Sequence, residues 1–138
     1  MVFRPNTIIG ANSIVSHLCV SEGDVVIGEL TTIEPQCHLT MGLRVGNYCF
    51  FGPCVVTMNT KKIAHCRDYV ARITPPRIMD GVRIGAGAVI GPGTLLEHNS
   101  FVKAGTRASG VVRASTSIKE VTSRVREALA YDERVSPL

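Results

Sequence analysis

The segment of residues 59–77 holds the side chains best suited to chemistry. It contains His65, whose imidazole can take up and release a proton near neutral pH. Its only acid is Asp68, and its cationic residues are Lys61, Lys62, Arg67, Arg72 and Arg77. Such a cluster of cations favours a phosphate-bearing ligand, with an ordinary solvated loop as the alternative.

The positive charge of the chain is localised around and beyond this segment. Residues 1–58 contain two basic and four acidic residues, whereas residues 59–138 contain thirteen basic and seven acidic ones. A nucleic-acid surface would also be basic, but the sequence lacks interleaved aromatic residues and a helix-turn-helix pattern. We therefore expect a small anionic ligand and no nucleic acid.

A six-residue repeat runs through most of the chain and must position these side chains. Its clearest copies begin at Ile84-Gly85 and Ile90-Gly91. Counting back in sixes from Phe51, every position to the N-terminus is apolar except Ser21. The following residue is often glycine, which suits a positive φ or a close approach of backbones. Since each unit must stack on a copy of itself to bury its apolar residue, the repeat predicts a solenoid.

The unit [Ile/Val/Leu]-Gly-x-x-small-x resembles the hexapeptide repeat of bacterial transferases, over about residues 3–112. Members of that family form left-handed parallel β-helices in which three hexads make one triangular coil. The resemblance implies an all-β fold, a left-handed parallel β-helix of about five coils over residues 1–114. The repeat is interrupted between Thr57 and Ile84, so a protruding loop is expected at about residues 59–77.

Residues 115–138 are predicted to form a capping unit with a loose tail. Ser117 and Glu120 match a capping box, and the apolar residues from Ile118 to Leu129 fall on one helical stripe. We expect a short helix over about residues 117–130. It would cover the strand edges at the open end of the prism.

The family resemblance implies an acyl-CoA-dependent acyltransferase, most simply an acetyltransferase, acting on a sugar or a nucleotide-linked sugar. In many members a loop carrying a histidine leaves the wall, so His65 is expected to be the general base. It would take the proton from the acceptor hydroxyl or amine as the thioester carbonyl is attacked.

Asn59 is the second predicted catalytic residue. Residues 55–59 resemble the Val-Val-Phe-Thr-Asn segment of sugar-nucleotide N-acetyltransferases, although Thr57 and Met58 depart from it. An asparagine here could orient the acceptor or donate to a developing oxyanion. A turn-capping role is the alternative.

The last coils resemble the part of the family that lines the pantetheine slot of coenzyme A. The residues expected to bind acetyl-CoA or another acyl-CoA are Gly87, Ala88, Ala104, Gly105, Thr106, Arg107 and Arg113. Small residues would let backbone amides approach the slender ligand, and the arginines could meet its phosphates. A solvated coil edge is the alternative. The resemblance also implies a homotrimer with active sites between neighbouring prisms.

A metal site is not expected from the remaining histidines and cysteines. The γ-class carbonic anhydrases share the fold, but they need three zinc-binding histidines that include a close pair. The four histidines here, at positions 17, 38, 65 and 98, include no close pair, and His17, His38 and His98 are expected on the wall. Cys19, Cys37 and Cys49 occupy the small inward slot of their hexads, as buried hydrophobes would, and a role for Cys66 stays open.

Two further expectations concern location and function class. The chain has no run of 18 apolar residues, and its start lacks a basic-then-apolar signal segment. We therefore expect no membrane insertion and a cytoplasmic protein. A catalytically silent β-helix scaffold or assembly protein is the main competing function, and a metal-dependent relative of the γ-class carbonic anhydrases is the second. The sequence leaves open the acceptor, O- or N-transfer and the acyl length.

Overall fold

A computed structural model describes residues 1–118 and 129–130 of the chain. In these residues every regular element is a short β-strand, and the strands form three sheets. We call the sheets face A, face B and face C, because the chain visits them in that order and then returns to face A. Three consecutive strands therefore make one triangular turn, and the corners between faces are called A–B, B–C and C–A.

Strands within a face stack in sequence order and are parallel, apart from the last pair. Face A consists of β1 (Val2–Phe3), β4 (Val20–Ser21), β7 (His38–Leu39), β10 (Val56–Thr57), β13 (Val89–Ile90) and β16 (Arg107–Ala108). Face B consists of β2 (Ile8–Ile9), β5 (Val26–Ile27), β8 (Arg44–Val45), β11 (Arg77–Ile78), β14 (Leu95–Leu96) and β17 (Val111–Val112). Face C consists of β3 (Ile14–Val15), β6 (Thr32–Ile33), β9 (Phe50–Phe51), β12 (Arg83–Ile84), β15 (Phe101–Val102), β18 (Thr116–Ile118) and β19 (Leu129–Ala130).

The predicted parallel β-helix is confirmed, with about six turns where the sequence predicted about five. After the interruption, the repeat resumes at Ile78. This is one hexad earlier than Ile84, the residue at which the sequence analysis placed the resumption. The first turn already begins at Val2, and the last continues to Ile118. These additions complete the extra turn.

The core is a narrow column of side chains that point inward from all three faces. The second residue of nearly every strand is buried, as is the residue just before the strand. Phe51 is the largest of them, and its register partners Ile33 and Ile84 lie directly below and above it. Each fully buried side chain of this size contributes about 1.5–3 kcal/mol. Because the turns stack in register, the repeated apolar residues form one continuous buried column, and their burial stabilises the fold.

Small polar residues occupy some inward positions, and hydrogen bonds compensate for their burial. The hydroxyl of Ser21, the exception in the apolar series, lies 2.7 Å from the hydroxyl of Thr7. Thr57 lies in the same column, donates to the His38 carbonyl at 2.9 Å and accepts from the Thr40 N–H at 2.9 Å. Buried hydroxyls with partners are tolerated in a core, so these residues do not interrupt the solenoid.

The glycine that follows the apolar residue of a hexad is required by a close approach of backbones. A Cβ on Gly28 would lie 2.6 Å from the Gly46 carbonyl oxygen of the next turn. Positive φ occurs two residues further on instead, for example at Leu30 (φ 53°). Of the two reasons for glycine that the sequence left open, close approach is therefore the one that applies.

The C-terminal segment differs from the predicted helix at both of its ends. Residues 117 and 118 extend strand β18, and Leu129–Ala130 forms β19, which pairs antiparallel with β18. Strand pairing thus replaces helical periodicity at these positions. The middle of the predicted helix, residues 119–128, and the predicted tail at 131–138 lie outside the described residues. In residues 1–118 and 129–130, no helix is long and apolar enough to cross a membrane.

Candidate functional site

The interruption of the repeat is a loop of residues 58–76 that leaves corner A–B in the fourth turn. An antiparallel bridge between Thr60 and Ile73 closes its neck, and the Thr74 N–H donates to the Asn59 carbonyl at 2.6 Å. The Thr74 carbonyl in turn accepts from the Gly93 N–H at 2.8 Å. Because Gly93 lies at corner A–B of the fifth turn, these bonds hold the loop against the wall.

Asn59 lies at the root of this loop and is partly buried. Its Nδ2 donates to the Met41 carbonyl at 3.2 Å, and its Oδ1 accepts from the Thr60 hydroxyl at 3.0 Å. The side chain therefore ties the loop to the third turn. A carboxamide NH₂ group has two donors, so one N–H remains for a ligand.

His65 lies in the outer part of the loop and is exposed. The Arg67 guanidinium donates to its backbone carbonyl at 3.3 Å, and the Arg67 N–H donates to the Ala64 carbonyl at 2.7 Å. These bonds shape a turn that presents the imidazole. Among the described residues, the ring has no hydrogen bond or ion pair, which leaves both of its nitrogens available to a substrate.

A cavity of about 440 Å³ lies inside the loop. Its lining residues are Lys61, Lys62, Tyr69, Val70, Arg72 and Thr74. Arg77, which the sequence grouped with these cations, lies instead on face B in register with Arg44. The loop thus concentrates three of the five predicted cations around one opening.

Corner C–A of the last two turns carries most of the residues predicted to bind coenzyme A. Gly87 and Gly105 occupy equivalent places on successive turns, with φ of 68° and 71°. The Gly105 N–H donates to the Ala86 carbonyl at 2.8 Å. A Cβ at either glycine would meet no described atom within 4 Å. Together with the exposed Ala104, they form an open strip of small residues.

The other predicted coenzyme residues are distributed around the turns. The side chains of Ala88 and Thr106 are buried in the core, so only their backbones border corner C–A. Arg107 is exposed at the end of face A. Arg113 lies instead at corner B–C, where its guanidinium is 3.4 Å from Glu97. Lys103, which the sequence analysis missed, is exposed in corner C–A beside Ala104. It could have been noticed from the sequence, because it stands at the hexad position that glycine usually occupies.

A histidine–carboxylate pair next to the loop root was also missed. His38 lies on the wall, as expected, and its Nε2 is 3.3 Å from a Glu22 carboxylate oxygen. Its Nδ1 lies 3.2 Å from the Thr57 carbonyl, so each ring nitrogen contacts an oxygen of the wall. Partial burial opposes ionisation of Glu22, but hydrogen bonding from the Met41 N–H and the charge of His38 lower its pKa overall. The pair therefore braces the wall below Asn59.

The cysteines divide into buried and exposed groups. Cys19, Cys37 and Cys49 are buried in inward slots, as predicted, whereas Cys54 and Cys66 are exposed. Burial raises the pKa of the Cys37 thiol to about 12 and also raises that of Cys49. The described part of the chain contains no group of three or more His, Cys, Asp or Glu side chains placed to hold a metal ion.

Comparisons by sequence find no relative, since no protein-family model and no curated protein matches this chain. Comparison with solved structures, by contrast, finds similar folds. A mutant of AntD, an N-acyltransferase from Bacillus cereus in complex with dTDP and coenzyme A, matches with a TM-score of 0.81. The match covers 97% of this chain and 78% of that chain at 17% identity.

Two further solved structures give the same result. A hexapeptide-repeat-containing acetyltransferase from Vibrio cholerae matches 91% of this chain and 74% of its own, with 19% identity and a TM-score of 0.76. PerB from Caulobacter crescentus, in complex with coenzyme A and GDP-perosamine, matches 91% of this chain at 19% identity and a TM-score of 0.65. This chain spans 53% of PerB. At these identities the likeness establishes the fold, a left-handed β-helix.

Proposed function

We propose that this protein is an acyl-CoA-dependent acyltransferase, most simply an acetyltransferase, that modifies a hydroxyl or amine of a sugar or nucleotide-linked sugar. The observation that carries the proposal is the match over 97% of the chain to an N-acyltransferase structure that contains coenzyme A and dTDP. The open strip at corner C–A and the cationic loop supply places for two such ligands. The proposal includes the cytoplasmic homotrimer predicted from the sequence.

Coenzyme A would lie along corner C–A of the last two turns. Gly87, Ala104 and Gly105 leave room for the pantetheine arm, since side chains there would otherwise project into it. Ala88 and Thr106 would contribute backbone only. Arg107 and Lys103 would meet phosphates at the exposed edge of the strip, and Arg113 would first have to release Glu97.

The reaction would join the acceptor to the acyl carbon and release the coenzyme as a thiol. His65 would take the proton from the attacking hydroxyl or amine while the new C–O or C–N bond forms. When the C–S bond breaks, the resulting thiolate would receive that proton. The free N–H of Asn59 would orient the acceptor or donate to the oxyanion. The bond to Met41 would keep its carboxamide in place.

Ligand-dependent stability tests the proposal directly. A ligand that binds only the folded state adds about 2.7 kcal/mol at one hundred times its dissociation constant. We therefore expect coenzyme A and acetyl-CoA to raise the melting temperature of the purified protein. Arg107→Ala should reduce this shift, while Arg4→Ala, which removes a cation at the opposite end of the solenoid, should not.

A melting temperature that stays unchanged at saturating acetyl-CoA would favour the silent scaffold. If binding is observed, acyl-CoA thioesters should be screened against a panel of sugars and sugar nucleotides. Release of free coenzyme thiol identifies the acceptor, and mass spectrometry of the product distinguishes O- from N-transfer.

A further inference from the structure

The cavity inside the loop has an unusual lining, because three of its six lining residues are cations and none is an acid. Lys61, Lys62 and Arg72 surround an opening of about 440 Å³. Small-molecule sites in proteins have volumes of about 300–1,000 Å³. The cavity is therefore large enough for a diphosphate together with part of the group attached to it.

These three cations lack carboxylate partners. In the part of the chain that the structure describes, no Asp or Glu oxygen lies within 4.0 Å of their nitrogens. Lys62 instead stands over the ring of Tyr69, 4.1 Å from its centroid. Neighbouring cations repel one another when no anion lies between them. The lining therefore favours a ligand with two or three negative charges.

The walls of the cavity are attached to the solenoid. Thr74 lines the cavity and accepts from the Gly93 N–H at 2.8 Å. Lys61 Nζ lies 3.6 Å from the position that a Cβ on Gly93 would take. Together with the Thr60–Ile73 bridge at the neck, these contacts keep Lys61 and the base of the cavity near corner A–B of the fifth turn.

Corner A–B and the strip proposed for coenzyme A flank the same face. In the fifth turn, β13 of face A separates residues 85–88 at corner C–A from Gly93 at corner A–B. A thioester reaching over face A from one corner would therefore meet an acceptor held at the other. This placement assigns the cavity to the acceptor.

We propose that the loop cavity binds the diphosphate of the acceptor, which makes that acceptor a nucleoside-diphosphate-linked sugar. The inference rests on the proposed acyltransferase function and specifies its substrate class. Lys61 and Arg72 contact the phosphate oxygens as charge-assisted donors. The sugar then extends from the cavity towards face A, and His65 of the same loop supplies the base.

Calorimetry with the whole 138-residue chain tests the proposal. The probes are inorganic pyrophosphate, the nucleoside diphosphates UDP, dTDP and GDP, and coenzyme A. Coenzyme A is included because it also contains a diphosphate, which is the alternative ligand for the cavity. Lys61→Gln and Arg72→Gln should each weaken pyrophosphate and the preferred nucleoside diphosphate about tenfold, equal to about 1.4 kcal/mol. Coenzyme A should bind both variants as it binds the wild type. Arg4→Gln, with the same loss of charge outside the loop, should leave all affinities unchanged.

The other outcomes overturn either the cavity assignment or the acyltransferase function on which it rests, and they are distinguishable. Equal affinities of pyrophosphate for wild type and both loop variants, or no binding by the wild type, exclude a diphosphate site in the loop. Weakening of coenzyme A with no change for nucleoside diphosphates assigns the cavity to the coenzyme instead of the acceptor. If the variants lose nucleoside diphosphate but acetyl-CoA never binds, the cavity assignment stands and the acyltransferase function fails.

Discussion

His65 is the residue whose replacement tests the proposed chemistry most sharply. We expect His65→Ala to lower turnover about 10²–10⁴-fold, the usual contribution of a general base. The affinity for acyl-CoA should hardly change, because the strip at corner C–A contains no loop residue. Steady-state kinetics and calorimetry on the same preparation separate the two effects.

The matched control is His17→Gln, since His17 is an exposed histidine at a corner of the wall and should not affect turnover. His65→Gln preserves size and hydrogen bonding but removes the base. If this variant keeps wild-type turnover, the base assignment is wrong. Asn59 or the acceptor's own amine would then have to carry the proton chemistry.

The cysteines offer a test of burial at single residues. Because the thiolate is the reactive form, and burial raises the pKa of Cys37 to about 12, Cys37 should resist alkylation throughout the neutral range. Cys54 and Cys66 are exposed and should be labelled first. Mass spectrometry after timed iodoacetamide treatment, with and without denaturant, locates the labels. Labelling of Cys37 before Cys54 in the folded protein would contradict the assigned interior.

The same pKa shift has a consequence for stability at high pH. An unfolded chain releases the Cys37 proton near pH 9, whereas the folded chain keeps it to about pH 12. The free energy of unfolding should therefore fall as pH rises through this window, by at most about 1.4 kcal/mol per pH unit from this group. Denaturant titrations should show a shallower fall for Cys37→Ala than for the wild type.

At the scale of the element, the turn between two strands depends on glycine for two separable reasons. Gly28 allows close approach of the next turn, whereas Gly87 has open space but a positive φ. We expect Gly28→Ala to destabilise by about 1–3 kcal/mol, because backbone must move to admit the methyl group. Gly87→Ala should cost about 1 kcal/mol through backbone strain alone. Chemical denaturation measures both, and equal effects would mean that contact with Gly46 is not the determinant at Gly28.

The elements also explain what the sequence could predict. Inward positions repeat with a fixed period, so the column of Val15, Ile33 and Phe51 followed from counting alone, whereas the place of Ile84 above Phe51 did not. The end of the interruption did not, because Ile78 lacks the glycine that marks most hexads. The predicted C-terminal helix relied on apolar spacing, which gives no sign of the antiparallel pairing of Thr116 and Ser117 with Ala130 and Leu129.

Contacts between outward side chains were less predictable than the core. Whether His38 reaches Glu22, or Arg113 reaches Glu97, depends on which turns stack and on the directions that side chains take at corners. The loop residues could be singled out by composition, but the convergence of Lys61, Lys62 and Arg72 requires the closed neck. Sequence therefore identified the segment and the structure identified the cavity.

At the scale of the whole molecule, the proposed homotrimer makes a simple prediction. Phe50 and Val56 lie on outer faces and are 41% and 37% exposed, so packing against neighbouring prisms would bury apolar area. Light scattering at micromolar concentration should give three times the chain mass of 14.8 kDa. Phe50→Glu should lower that mass, whereas Leu18→Glu, at a corner, should leave it unchanged. A wild-type monomer would remove both the trimer and any site shared between copies.

The loop that interrupts the wall also affects how the sequence of such a protein can evolve. It lengthens the path between equivalent corner residues from 18 residues, as between Glu29 and Asn47, to 33, as between Asn47 and Asp80. By the logarithmic law of chain closure, this less than twofold increase costs only about 0.5 kcal/mol. Because the neck closes at Thr60 and Ile73, residues beyond it can be gained, lost or exchanged while the turns on either side keep their register. A new substrate preference can therefore arise at one corner with almost no change in the folding equilibrium of the rest.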